Sequence, residues 1–328
     1  MEINKLGEGK IIDLIHSKVL ITNPKIVAGI GDDAAVIEAG DHYEIITTDM
    51  LVEGVHFSMD FTDAYHLGRK SLAVNLSDIA AMGGEPLYYL VSISLPGHTK
   101  VQFVEDFYQG MQDLALTHGA HLIGGDTVGA ENKIAIAITV TGQVKKDEII
   151  FRRGANPGDL VYVSGFLGDS AAGLKIMLAG LRGQLAPEIE SYLIKRHIAP
   201  EPRLELGRIL AINRLASALN DVSDGLVKKV WEIAISSQVA IKINPAAMPI
   251  SAQLGKFSSQ LNVPAIDFAL QGGEDYELLF TVPPEQEARL AKYQLPVKKI
   301  GQVVARAKQG EVCDLDGHAL YDEGFKHF

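Results

Sequence analysis

Cysteine is almost missing from this sequence: the 328 residues carry one, Cys313. A lone thiol excludes an intrachain disulfide and any metal site built on a cysteine cluster, and Cys313 reads as a small apolar residue of a late strand. Positive charge is scarce as well. The 30 Lys and Arg face 41 Asp and Glu, a formal charge of −11, which argues against a nucleic-acid or anionic-membrane surface, since both need clustered cations. No apolar run approaches the ~18 residues that span a bilayer, and Met1-Glu2-Ile3-Asn4-Lys5 lacks the apolar core of a signal peptide. A cytoplasmic location is expected. Nucleotide signatures are absent too: there is no Gly-x-x-x-x-Gly-Lys-[Ser/Thr] loop, no protein-kinase catalytic loop, and no Gly-x-Gly-x-x-Gly between a strand and a helix.

What is present is an ordinary folded composition, 47% hydrophobic and 22% charged, long enough for about two domains. Strand and helix patterns alternate. Strands are expected at 43–48, 87–95, 133–144, 160–164, 276–282 and 297–304, with helices at 64–78, 101–117 and 227–236. Gly165-Phe166-Leu167-Gly168 forms a turn into a helix, with Asp169 or Ser170 as its N-cap. Charged residues and Arg152-Arg153-Gly154-Ala155-Asn156-Pro157-Gly158 interrupt the apolar pattern after residue 145. The expectation is an α/β or α+β protein of two units, 1–145 and 146–328.

The chemistry centres on acids in apolar surroundings. Asp78 sits in Ala73-Val74-Asn75-Leu76-Ser77-Asp78-Ile79-Ala80-Ala81-Met82-Gly83-Gly84, expected to end a tightly packed helix, with no Lys or Arg within a turn. An ionised group there needs donors, a charge partner or a metal. Asp33, Asp49, Asp126, Asp221 and Asp224 likewise lie within two residues of a Gly, Ser or Thr near the ends of apolar runs. Each alone could be a cap or turn residue. Brought together, six carboxylates repel unless protonated or bridged, and oxygen-only donors point to Mg²⁺, or to Mn²⁺ or Ca²⁺, rather than Zn²⁺. Such a site commonly also holds phosphate, which suggests a nucleotide.

In order along the chain stand Gly29-Ile30-Gly31-Asp32-Asp33-Ala34-Ala35, Thr47-Thr48-Asp49, Gly54-Val55-His56-Phe57, the run around Asp78, Gly124-Gly125-Asp126-Thr127, Gly168-Asp169-Ser170-Ala171-Ala172-Gly173-Leu174, Asp221-Val222-Ser223-Asp224-Gly225-Leu226 and Gly272-Gly273-Glu274-Asp275-Tyr276-Glu277-Leu278. Together these resemble the thiamine-monophosphate kinase family. Its wider superfamily includes aminoimidazole ribonucleotide synthetase, selenophosphate synthetase and a hydrogenase maturation factor. The Gly-Gly-Glu-Asp-Tyr-Glu-Leu run and the closing Gly324-Phe325-Lys326-His327-Phe328 favour the thiamine kinases, although Lys326 stands where they often carry an acid.

The resemblance implies an N-terminal domain whose mixed sheet forms a dimer-spanning barrel, with a C-terminal α/β domain packed on it. It implies ATP-dependent conversion of thiamine monophosphate to thiamine diphosphate with several Mg²⁺ ions in a homodimer. Carried over, Asp33, Thr47, Thr48, Asp49, Asp78, Asp126, Asp221 and Asp224 match metal ligands, with the cluster centred on Asp49, Asp78 and Asp126. Gly125, Asp126, Arg152 and Ser223 match ATP contacts, Arg152 being matched rather than Arg153. His56, Glu274 and Phe325 match positions near thiamine monophosphate. An acceptor phosphate is already deprotonated near neutral pH, so direct in-line transfer without a dedicated protein base is expected. Two other readings are a superfamily ATPase activating a different acceptor and a non-catalytic nucleotide- or thiamine-binding protein.

Overall fold

Residues 6–322 and 324 are described in the structure, a computed structural model. Phe325 and Lys326, both singled out in the sequence, lie outside the described residues. The chain opens with α1 (Glu8–Lys18), β1 (Ile26–Ala28), β2 (Ala35–Ala39), β3 (His42–Val52) and α2 (Ala64–Ala81). It continues through β4 (Glu85–Pro96), α3 (Val101–His118), β5 (His121–Ala130) and β6 (Ala135–Lys145). These six strands form one mixed sheet in the order β1-β2-β3-β6-β4-β5. All neighbours are antiparallel except β4 and β5, which α3 joins as a parallel crossover.

Alternation along β3 sets the two faces. Ile45, Thr47 and Leu51 are buried, whereas Thr48 and Met50 point to the open face and are exposed. The buried face is covered by α2, a helix apolar or small on nearly every side and correspondingly enclosed. α3 lies against it at unusually short range: a Cβ on Gly68 would stand 1.9 Å from the Phe107 carbonyl oxygen, and one on Gly110 would stand 1.9 Å from that of Tyr65.

The second half contributes β7 (Leu160–Ser164), α4 (Asp169–Leu178), α5 (Pro187–Ile198), α6 (Leu204–Ile212), β8 (Ala218–Asp221) and α7 (Leu226–Ser237). It ends with β9 (Val239–Ile243), α8 (Ala252–Leu261), α9 (Ala265–Gln271), β10 (Leu278–Val282), α10 (Glu287–Lys292), β11 (Val297–Arg306) and β12 (Glu311–Cys313). Its strands make a second mixed sheet, β12-β9-β11-β7-β10-β8. The expected mixed α/β architecture is therefore observed, as two six-stranded sheets. Among the described residues no helix is long and apolar enough to cross a membrane.

The halves share a core. Leu204, Leu206 and Leu210 of α6 and Leu278, Phe280 and Val282 of β10 belong to the same apolar cluster as α2 and the first sheet. The small residues at the end of α2 make room for this contact, because a Cβ on Gly207 of α6 would meet the Ala80 carbonyl at 2.3 Å.

Three expectations need correcting. α2 runs past Asp78 to Ala81, so Asp78 is an interior residue of the last turn rather than the helix end. Leu219 to Leu226 reads in the sequence as an acidic turn before a helix, whereas Ala218–Asp221 forms a fully buried strand that pairs with β10. Neither Asp169 nor Ser170 caps α4: the N-cap is Gly168, and the Asp169 carboxylate instead accepts from Ser251 and Tyr192.

Candidate active site

A cavity of about 970 Å³ runs between the two halves, walled by β3, the 54–62 loop, α2, α4 and the loops after β8 and before β10. Carboxylates dominate one end. Asp33 precedes β2, Asp78 lies on α2 and Asp221 ends β8, and one oxygen from each lies within 4.8 Å of the other two. Three residues within one turn of α2 hold this end together. Asn75 Oδ1 accepts the Asp49 backbone N–H at 3.0 Å, Ser77 donates to Asp221 Oδ2 at 2.7 Å, and Asp78 Oδ2 accepts from Thr47 Oγ1 at 2.5 Å.

Burial and mutual repulsion govern the ionisation of these acids. Asp78 is held well above the ordinary carboxylate range, first by burial and then by the charges of Asp49, Asp221 and Asp33. Asp49 and Asp221 are pushed up to about 6, again mainly by burial, with Lys229 opposing the rise. Asp33 Oδ2 and Asp221 Oδ1 are buried and accept no hydrogen bond. Orphaned carboxylate oxygens are costly. Oxygen ligands stand ~2.0 to 2.6 Å from Mg²⁺ or Ca²⁺, so three oxygens this close, two residues of which retain unsatisfied atoms, suit a hard divalent cation.

Cations of the chain surround the cluster. Arg152 Nη2 lies 2.5 Å from Asp33 Oδ1, and its backbone N–H donates to Asp32 at 3.2 Å. Arg153 turns away and stacks on Phe151, 4.4 Å from the ring centroid. Lys229 of α7 stands 3.6 Å from Asp221 and 3.4 Å from Glu232, and Lys228 pairs with Asp224 at 2.8 Å. Ser223 and Asp224 line the cavity beside them.

At the other end Glu274 is gripped by the Lys70 ammonium of α2 at 2.8 Å and by the His197 ring of α5 at 3.2 Å. Lys70 holds the Glu274 carboxyl below its usual range against the effect of burial. His56 stands on the same wall and accepts the Val52 backbone N–H at Nδ1. Phe57, Phe61, Leu174, Met177 and Ile198 supply an apolar side to this end.

The loop that presents Glu274 is strained. Glu274 and Tyr276 both adopt left-handed backbone, φ 63° and 50°. Asp275 between them points the opposite way, its carboxylate accepting the N–H groups of Gly168 and Ser170 at the start of α4 at 2.6 and 3.3 Å. Glu277 follows, completely buried against Arg196, Arg203 and Ser164. Its carboxylate fills the space a Cβ on Gly165 would need, so Gly165-Phe166-Leu167-Gly168 serves close packing here.

His197 makes this end pH-sensitive. Burial, and then the charge of Lys70, lower its pKa from 6.5 to about 4. The folded ring is thus neutral where the unfolded one charges, so its contribution is complete above pH 6.5 and is lost as pH falls toward 4. The two pKa values set an upper bound of about 3 kcal/mol on that loss. Denaturant unfolding at pH 7.5 and 4.5 should show His197→Gln losing less stability between the two than the parent protein; parallel losses would contradict the assignment.

Of the residues singled out from sequence, the fold gathers Asp33, Thr47, Thr48, Asp49, His56, Asp78, Arg152, Asp221, Ser223, Asp224 and Glu274 around one cavity. Gly125 and Asp126 stand apart, on β5, the exposed edge strand. Gly125 is in register with Val91, Ile138 and Asp49 across the sheet, three strand spacings or about 14 Å from Asp49. Asp126 lies in the next row, with Ser92, Ala137 and the exposed Met50, on the open face. Within one chain the structure does not bring Asp126 to Asp78.

Lys70, His197 and Lys229 were not anticipated. Lys70 lies in the apolar helix of Asp78, and Lys229 falls in phase with Leu226, Val230 and Ile233, all buried. The criterion that singled out Asp78, a charge at a buried helical phase, applies equally to both lysines.

The chain matches the family models "AIR synthase related protein, N-terminal domain" over residues 31–144 and "AIR synthase related protein, C-terminal domain" over residues 156–314. It is 40% identical to the thiamine-monophosphate kinase of Bacillus subtilis (strain 168), over 96% of this chain and 98% of that protein. The thiamine-monophosphate kinase of Aquifex aeolicus (strain VF5) is 36% identical over 100% of both chains. A solved structure, "AaThiL complexed with AMPPCP and TMP", superposes with a TM-score of 0.89 at 35% identity, covering 100% of this chain and 99% of that one. Full-length similarity at this level, on a fold that gathers the matching acids, places the chain in the thiamine-monophosphate kinase family of AIR-synthase-related proteins.

Proposed function

We propose that this protein transfers the γ-phosphoryl group of ATP to thiamine monophosphate, giving thiamine diphosphate and ADP. The observation that carries the reading is one cavity that joins a partly buried carboxylate cluster to a partly apolar recess ended by Glu274. Relatives at 36 and 40% identity are thiamine-monophosphate kinases, and AaThiL was solved with AMPPCP and TMP.

In this reading Asp33, Asp78 and Asp221 would hold Mg²⁺, with Thr47, Asp49 and Asp224 as further ligands; the Thr48 hydroxyl faces the other side of β3, so Thr48 would contribute through its backbone. When bound, Mg²⁺ neutralises the phosphates and polarises the transferring group. The chain supplies position. Arg152 and Ser223 line the nucleotide side, while Phe57, Phe61 and Met177 give flat rings an apolar surface. Glu274, kept ionised by Lys70, offers a carboxylate to a ring amino group, with His56 beside it and Phe325 assigned to the same end by resemblance. An oxygen of the acceptor phosphate attacks the γ-phosphorus as the bond to the β–γ bridging oxygen breaks. That oxygen carries no proton near neutral pH, so no protein base is needed.

The reading extends to assembly and domain structure, with units 1–145 and 146–328 and a homodimer. β5 is an uncovered edge, and Met50, Tyr88, Leu90, Leu122, Ile123 and Val128 expose apolar surface on the first sheet or its edge. A second copy continuing that sheet into a barrel would cover both, and Gly125 and Asp126 would then meet nucleotide and metal from the dimer edge.

Purified protein incubated with ATP and thiamine monophosphate should yield thiamine diphosphate and ADP by mass spectrometry, with Mg²⁺ and not with EDTA. ADP formed without thiamine diphosphate would overturn the acceptor assignment.

A further inference from the structure

The carboxylate cluster is closed on its far side by the chain's own charges. Arg152 reaches Asp33 and Lys229 faces Asp221, and these two cations meet at one acid: Glu232 Oε2 lies 3.3 Å from Arg152 Nη1 and 3.4 Å from Lys229 Nζ. Asn220 steadies that acid, donating to Glu232 Oε2 at 2.9 Å. The result is a continuous path, Asp33 to Arg152 to Glu232 to Lys229 to Asp221, whose two ends converge with Asp78.

Lys229 is the odd member of this path. It is 5% exposed and lies on the apolar stripe of α7, where an ammonium is costly unless its partners repay desolvation. Even so, it makes no tight contact with the cluster. At 3.6 Å it is beyond hydrogen-bond length from Asp221 Oδ1, and that oxygen remains unpartnered. An ammonium so placed acts on the cluster by charge while leaving the oxygen available to another cation.

We propose that Lys229 is a resident counter-cation of the carboxylate cluster, a positioning residue whose charge sets how tightly the cluster takes a divalent ion. The proposal rests on the Mg²⁺ reading given above. The acids of the cluster attract a divalent ion and Lys229 opposes it, so removing Lys229 makes the surroundings of Asp221 one unit more negative and removing Glu232 makes them one unit more positive. Lys229 thus lowers the repulsion that the metal-free fold must withstand, at the expense of metal affinity.

The test is Mn²⁺ binding to the full-length, nucleotide-free protein, by titration calorimetry at fixed ionic strength, with thermal unfolding in EDTA as a second readout. Lys229→Met should bind Mn²⁺ about tenfold more tightly and unfold at lower temperature in EDTA. Glu232→Gln should bind about tenfold more weakly. The double variant, Lys229→Met with Glu232→Gln, restores the original net charge and should return to parental affinity. Equal affinities across the series, or weaker binding by Lys229→Met, would overturn the proposal and leave Lys229 a structural ion-pair partner. If Lys229→Met does not fold, Glu232→Gln and the double variant decide: the first must be weaker than the second. Absence of Mn²⁺ binding by the parent would instead overturn the metal reading itself.

Discussion

Asp78→Asn should abolish phosphoryl transfer, by about 10³-fold in turnover or more, while making the metal-free protein more stable. The two effects have one origin. Asp78 is half-buried beside Asp49, Asp221 and Asp33, and desolvation with their charges holds its carboxyl well above the unfolded value of 3.8. A raised carboxylate penalises the fold: the penalty is absent below pH 3.8, grows as pH rises toward the folded pKa, and is complete above it. Asparagine has no charge to penalise, and its Oδ1 can still accept from Thr47. At pH 8 in EDTA the variant should therefore unfold later than the parent. Added Mg²⁺ should stabilise the parent and leave the variant nearly unmoved. Loss of turnover accompanied by loss of stability in EDTA would instead make Asp78 a structural residue.

The largest stability loss is expected at Glu277. This carboxylate is fully buried and accepts from Arg203 at two atoms, from Arg196 at 2.9 Å and from Ser164 at 2.6 Å. Glutamine keeps the shape and removes the charge, leaving two guanidinium groups facing a neutral amide. Breaking one side of a buried ion pair typically costs ~3 to 5 kcal/mol, and Glu277→Gln should lose that much in urea unfolding. The damage should also reach the site. Glu277 lies just beyond the left-handed pair Glu274 and Tyr276, so loosening it releases the constraint that holds Glu274 between Lys70 and His197. KM for thiamine monophosphate should rise more than KM for ATP; equal changes would separate Glu277 from the Glu274 end.

How much of this was legible follows from what each residue needed. Asp78 was legible because a carboxylate inside Ala73 to Gly84 violates the pattern of its own helix, and the violation is visible without knowing the fold. Lys70 and Lys229 break the same rule, but a lysine in a helix usually carries its ammonium to solvent on a long stem, so the pattern alone did not mark them. β8 was missed because four buried residues leading into Val222-Ser223-Asp224-Gly225 look locally like turn chemistry, and only β10 alongside makes them a strand. Asp169 invited a cap reading that tertiary partners overrode. Asp126 carries the same local signature as Asp33, yet register across β6 and β4 sets it on the open face of the sheet, a fact of pairing rather than of local sequence.

α2 also works as a ruler. Lys70 grips Glu274 at one end of the cavity and Asp78 joins the carboxylates at the other, and both stand on this one rigid helix. Eight residues at ~1.5 Å each fix their separation along the axis at about 12 Å. Neither end can be tuned alone. A shift of α2 along its axis carries Lys70 and Asp78 together, and deleting one residue between them would turn Asp78 by about 100° out of the cluster. The reach between the two ends is thereby set by helix geometry, with the close approaches at Gly68 and Gly207 keeping the ruler from sliding.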